Sequence, residues 1–193
     1  MARGDGDHRA PPERSDALHS ALTEAQQLGF LGSRPIAEAI DHSMAFVRAL
    51  PDAARRVVDI GSGGGLPGLV IAVARPATLL TLVDRREKRT DFLRRVVARS
   101  DWHHVDVLTM DVAELARDVA GGRRPPFDAV TARGFGPPED TLRLASRLIG
   151  PAGVIVISEP PTGDRWSNAL LSDLGLTLQR QPGVAVFHVK HDG

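Results

Sequence analysis

Cysteine is absent from all 193 residues. Disulfides, zinc–thiolate sites, iron–sulfur clusters and a cysteine nucleophile are therefore excluded. Tyrosine is absent as well, aromatic residues make up 4% of the chain, and Trp102 and Trp166 stand isolated. No aromatic platform for stacking bases is encoded. Neither sign of charge is in excess, since Lys+Arg and Asp+Glu both number 24. No molecule-wide field draws nucleic acid, and any basic surface must be local. No apolar run approaches the roughly 20 residues of a membrane helix, and the opening MARGDGDHRAPPERSD lacks the hydrophobic centre of a secretory signal. Residues 1–14 read as a disordered tail. No membrane partner is expected, and a cytoplasmic location is. With 42% apolar and 25% charged residues, residues 15–193 are expected to form one domain that buries about 70% of its unfolded surface.

Two amphipathic helices lead in over residues 15–50. The first starts at Ser15, places Leu18, Leu22, Ala25 and Leu28 on one face, and ends at Gly29. The second starts near Ser33, carries Ile36, Ile40, Met44, Val47 and Leu50, and stops at Pro51. Short apolar runs then alternate with helical patterns. Strands are predicted at 56–60, 79–83, 105–110, 128–132 and 153–158, with helices near 67–74, 87–99, 112–120 and 138–148. The intervals from Asp59 to Asp84, to Asp111, to Thr131 and to Ser158 each span roughly 20 to 27 residues, the size of one βα unit, which argues a parallel sheet covered by helices. Residues 177–181 and 184–189, joined by Pro182-Gly183, read as a closing antiparallel hairpin. His188 and His191 are badly spaced for sharing an ion on a strand, and His103-His104 falls in a loop, so no metal site is expected. No pattern specifies an oligomeric state.

Between the first strand and the helix after it lies Asp59-Ile-Gly61-Ser-Gly63-Gly64-Gly65-Leu66-Pro67-Gly68. Glycines at such a junction let backbone approach a ligand beside the free amides of a helix start. Ligands of open parallel sheets sit at the carboxyl ends of the strands, where Asp84, Asp111 and Thr131 also fall. Two frames fit. Gly63, Gly65 and Gly68 satisfy the dinucleotide pattern, with Asp84 at the ribose position, which would make the chain a nucleotide-cofactor oxidoreductase. The frame starting at Asp59, acidic-x-Gly-x-Gly, is typical of S-adenosylmethionine (SAM) enzymes. It accounts for more: Asp59 gains a role, Gly61, Gly63 and Gly65 cradle the methionine and ribose portions, Asp84 takes the ribose hydroxyls, and Asp111, Ala113 and Glu114 lie beside the adenine. The terminal hairpin also suits a methyltransferase better than a dinucleotide fold. A loop that only turns the chain is the plain alternative, as is an ion pair of Asp84 with Arg85 or Lys88.

The loop with its Leu-Pro-Gly, the segment Val-Asp84-Arg-Arg-Glu-Lys88-Arg-Thr-Asp-Phe92-Leu93, and Phe-Asp-Ala-Val-Thr131-Ala132-Arg133-Gly-Phe135 together resemble the family of glucose-inhibited division protein B. Those are ribosomal small-subunit RNA methyltransferases that modify a guanine at N7. The resemblance runs from about residue 40 to 158. It implies an α/β, class I SAM-dependent methyltransferase (Rossmann-like) fold with a mostly parallel seven-stranded sheet. It also implies SAM as cofactor, contacts to it from Gly61, Leu66, Ala113, Glu114 and Arg133, and small-subunit ribosomal RNA or the small ribosomal subunit as partner. The chain departs from the family in two places. No Asn-Leu-Thr motif precedes the sheet, and where the family has Lys-Gly after strand five this chain reads Ser158-Glu159-Pro160-Pro161. An acid there leaves a different RNA, or a small molecule, open as substrate; a SAM-binding assembly protein without activity is a further alternative.

Guanine N7 carries a free lone pair, so its methylation needs positioning and exclusion of water rather than a general base. The ring becomes cationic, and Glu159, at the end of strand five, is the candidate carboxylate for balancing that charge. A solvent-facing glutamate before a rigid turn is the bland alternative. Arg133 is expected to hold the methionine carboxylate or touch substrate; an ordinary surface arginine competes. Seven basic residues lie between Arg85 and Arg99. They form either a salt-sensitive RNA contact or the solvated face of a packed helix.

Overall fold

The computed structural model describes residues 12–160 and 165–190. Helices α1 (Pro12–Gln27) and α2 (Ile36–Ala49) precede β1 (Arg56–Ile60), α3 (Gly68–Ala74), β2 (Leu79–Asp84), α4 (Glu87–Arg99) and β3 (Val105–Thr109). Then come α5 (Val112–Ala120), β4 (Phe127–Ala132), α6 (Pro138–Ser146), β5 (Ile149–Ser158), α7 (Asn168–Asp173), β6 (Leu176–Gln181) and β7 (Val184–Val189). The predicted tail needs correction at its end, because α1 already includes residues 12–14; residues 1–11, and with them the rest of that expectation, lie outside the described residues. Helix α1 closes as predicted at Gly29. This glycine takes a positive φ of 70° while the Phe30 amide donates back to the Ala25 carbonyl and the Gly29 amide to that of Gln26. Leu28, expected on the buried face, falls beyond the helix and is 47% exposed.

All seven strands join one sheet in the order β3-β2-β1-β4-β5-β7-β6. Strands β1 to β5 pair in parallel, and β7 enters antiparallel between β5 and β6. The closing hairpin therefore reverses direction in β7 alone, and β6 runs with the parallel strands. Gly183, at φ 82°, makes the reversal possible at the turn. Strand side chains alternate between two cores. Val57, Leu80, Leu82, Ala129, Val154 and Val156 pack under α1 to α4. On the opposite face, Val58, Ile60, Val83, Val130, Ile155 and Ile157 pack under α5 to α7. Burial on both faces explains why these strands read as continuous apolar runs. The order changes direction between β1 and β4, so a crevice opens outside the carboxyl ends of β1, β2 and β4.

Candidate functional site

Asp59 is the fourth residue of β1 and points to the face covered by α1 to α4, where its apolar neighbours would predict a valine or leucine. It lies in register with Thr131 of β4, whose Oγ1 donates to Asp59 Oδ1 at 2.8 Å. The residue is 1% exposed, and its Oδ2 is buried without a hydrogen-bond partner. Burial pushes the carboxyl up from 3.8 to about 7, against the opposing pull of the Thr131 and Ser62 hydroxyls, the nearby Gly68 amide and the Arg133 charge.

The loop after β1 is held by its own chain. Ser62 bridges it to β2: its amide donates to the Val83 carbonyl at 3.0 Å, while its hydroxyl accepts from the Val83 amide and donates to the Asp59 carbonyl. No sequence signal singled out Ser62. Gly64 and Gly65 are explained without any ligand. A Cβ on Gly64 would sit 2.6 Å from the Leu31 side chain, and one on Gly65 would sit 2.4 Å from that of Leu69. Close packing against Leu31 and Leu69 is thus enough to require glycine at these two positions. Gly61 differs: at φ 68° it faces the Phe135 ring, 2.5 Å from an added Cβ, at the rim of a cavity.

This first cavity, about 420 Å³, is bordered by Gly61, Asp84, Met110, Asp111, Gly134 and Phe135. Asp84 ends β2 and is 6% exposed. Its Oδ2 accepts from the Gly63 amide at 3.0 Å and its Oδ1 from the Arg86 amide at 2.9 Å, while Arg89 Nη1 lies 3.7 Å from Oδ2. The alternative partners, Arg85 and Lys88, are not the ones it takes. Asp111 caps α5, accepting from the Ala113 amide at 2.8 Å. Gly61, Asp84 and Asp111 are therefore brought to one cavity. Asp59 lies beneath it, Gly63, Gly65 and Leu66 are buried in the loop, and Glu114 is exposed outside it. Ala113 reaches the site only through the amide that Asp111 engages. Phe135 and Met110 border the cavity without having been predicted to; the available signal was their place in the short loops that follow β4 and β3.

Arg133 and Glu159 belong to a second cavity of about 950 Å³ that meets the first at Gly134. Burial and the charge of Arg34 hold the Arg133 guanidinium below its ordinary value, opposed by Asp59, and its Nη1 is buried without a partner. Glu159 is not solvent-facing: its Oε1 accepts from the Trp166 indole at 2.9 Å and its Oε2 lies 3.7 Å from Arg180 Nε. Pro161 of the same turn lies outside the described residues. Among the seven basic residues of 85–99, Arg89, Arg94 and Arg99 pair internally with Asp84, Asp91 and Glu24. Arg85, Arg86, Lys88 and Arg95 remain exposed. No group of histidines and acids suited to a metal occurs among the described residues, and His191 lies outside them.

The family model GidB, described as rRNA small subunit methyltransferase G, matches residues 20–159. A ribosomal RNA small subunit methyltransferase G from Ralstonia nicotianae is 35% identical over 125 residues, covering 61% of this chain and 50% of the relative. One of the same description from a Nocardioides species is 36% identical over 143 residues, covering 67% and 55%. The chain spans about half the length of the curated relatives it matches. Among solved structures, an O-methyltransferase from Bacillus cereus in complex with SAH superposes at a TM-score of 0.62 with 14% identity, covering 91% of both chains. Cofactor-bound Rv0187 from MTB gives 0.58 with 20% identity, over 94% of this chain and 91% of that one. These likenesses show the fold, that of class I SAM-dependent methyltransferases.

Proposed function

The chain belongs to the GidB family, rRNA small subunit methyltransferase G, and from that premise we propose that it transfers a methyl group from SAM to N7 of a guanine in small-subunit ribosomal RNA. The observation that carries the proposal is Asp84. A nearly buried carboxylate ends a central strand at the edge of a cavity of ligand size, held by backbone amides and one arginine.

The residues fit the cofactor. Asp84 accepts the ribose hydroxyls, charged hydrogen bonds worth about 1.5–3 kcal/mol. Met110 and Val112 provide an apolar wall for the adenine beside Asp111, with Ala113 and Glu114 one step outside. Gly61, Gly63, Gly65 and Leu66 shape the loop against the ligand, and Asp59, buried under that loop, accepts from Thr131 of β4. Arg133 stands at the junction of the two cavities, toward the methionine carboxylate and the substrate. When bound, SAM would supply an electrophilic methyl group on a sulfonium for the lone pair of N7, with S-adenosylhomocysteine as the leaving product. The protein's share is to align both partners and keep water out. Glu159 is the carboxylate on the substrate side. Since Trp166 and Arg180 already engage it, we assign it to positioning Arg180 rather than to the ring's developing charge.

This reading puts the enzyme in the cytoplasm with small ribosomal subunits; among the described residues no helix is long and apolar enough to cross a membrane. The test is transfer of labelled methyl from SAM to small subunits that lack guanine-N7 methylation, with naked ribosomal RNA alongside. Label on RNA is expected. Asp84→Ala should weaken SAM binding at least tenfold while far-ultraviolet circular dichroism stays unchanged, and wild-type SAM affinity in that variant would refute the ribose assignment. Bound SAM without label on RNA would move the substrate to another class.

A further inference from the structure

The second cavity gathers basic side chains, four of them arginines, from five separate parts of the fold. Arg34 comes from the loop before α2, His42 from α2, Arg133 from the end of β4, Arg165 from the approach to α7 and Arg180 from β6. Glu159 is the one carboxylate among the described lining residues, and the Trp166 indole and Arg180 engage it. The positive charges act on one another. Burial and Arg34 lower the proton affinity of Arg133; burial, Arg133 and Arg34 lower that of His42 despite Asp41 beside it. Crowded guanidiniums that disfavour their own charge are relieved by an anion with several oxygens, and guanidinium geometry matches phosphate with two parallel hydrogen bonds. Arg34 and Arg180 are exposed at this cavity, so a ligand reaches them from solvent. Gly134 lines both cavities, which sets anything bound in the second directly beside the first.

We propose that the second cavity is a phosphate-binding cleft that grips the RNA strand next to the methylated nucleotide, with Arg34 and Arg180 as its outer contacts and Glu159 holding Arg180 in place. The proposal rests on the chain acting on RNA. It makes Glu159 and Pro160, which follow β5, part of an arginine-bearing substrate wall.

The test titrates unmethylated small-subunit RNA against the full chain by filter binding between about 50 and 200 mM salt, and measures SAM affinity and methyl transfer in parallel. Arg180→Ala and Arg34→Ala should each weaken RNA binding about three- to tenfold and lower the slope of log affinity against log salt by about 1. SAM affinity should stay within twofold. Arg180→Ala also strips Glu159 of a partner, whereas Arg34 accepts from Gln26 through its backbone carbonyl, which the substitution leaves in place; the Arg34 variant therefore decides the matter if the other is unstable. Unchanged RNA affinity and salt slope in both variants overturns the cleft, and so does an equal loss of SAM affinity. Weakened RNA binding in a chain that transfers no methyl to RNA upholds the cleft and overturns the activity instead.

Discussion

Among the described residues Asp59 is the acid that burial displaces most, and stability should follow pH through it. A carboxyl raised from 3.8 to about 7 on folding binds its proton more tightly in the folded chain than in the unfolded one. That linkage favours folding fully below about pH 4, and the contribution is lost as pH rises through about 7. At about 1.4 kcal/mol for each tenfold change in proton affinity, the full loss is on the order of 4 kcal/mol. Asp59→Asn keeps an acceptor for Thr131 and cannot ionise. Its stability relative to wild type should therefore improve by a few kcal/mol between about pH 5 and pH 8 in denaturant titrations, read at both ends of that window. A difference that stays constant across the window would mean that the buried carboxyl keeps an ordinary acidity. Nor does the motif reveal its partner: Asp59 meets Thr131, 72 residues away, on the neighbouring strand β4.

At the scale of elements, the connection between the lead-in helices and the glycine loop is the feature that spacing could not foretell. Phe30 packs edge-on against Phe92 of α4 at 5.7 Å, Arg89 lies over the Phe30 ring at 5.9 Å, and Leu31 occupies the space that a side chain on Gly64 would need. Gly64→Ala should therefore destabilise the chain by about 1–3 kcal/mol, through overpacking against Leu31 and the Phe30 carbonyl. The loss should be present in urea unfolding without any cofactor; a variant as stable as wild type would mean that Leu31 yields and does not require glycine there. Helices α4 and α5 match their predicted limits because strong local signals bound them. In α5 that signal is Asp111, whose cap on Ala113 also fixes the cavity wall. Helix α7 was not predicted, since its six residues span less than two turns and show too little periodicity to read.

For the molecule as a whole, equal numbers of acids and bases conceal an uneven distribution. The first cavity sets Asp84, Asp111 and Asp140 against Arg85, Arg86 and Arg89, while the second sets four arginines against Glu159 among its described lining residues. Cofactor and substrate binding should accordingly differ in salt dependence, the former shallow and the latter steep. A ligand bound only by the folded chain stabilises it by about 2.7 kcal/mol at a hundredfold excess over its Kd. For a chain of this size, SAM should then raise Tm by roughly 5 to 10 °C. Differential scanning fluorimetry checks this, and an unmoved Tm at saturating SAM would remove the cofactor assignment.

Local pattern was enough to determine the alternation of strands and helices, the parallel sheet with a reversed end, the glycine loop and the acids at successive strand ends. Each of these depends on neighbours a few residues apart, through side-chain period, capping and turn geometry. Tertiary structure alone decided that β7 lies between β5 and β6, that Gly64 and Gly65 answer to Leu31 and Leu69, and that Arg133 and Glu159 share a cleft distinct from the one holding Asp84. These depend on contacts between residues distant along the chain, set by the order of strands and by which residues lose water together. No local pattern in the sequence records such contacts.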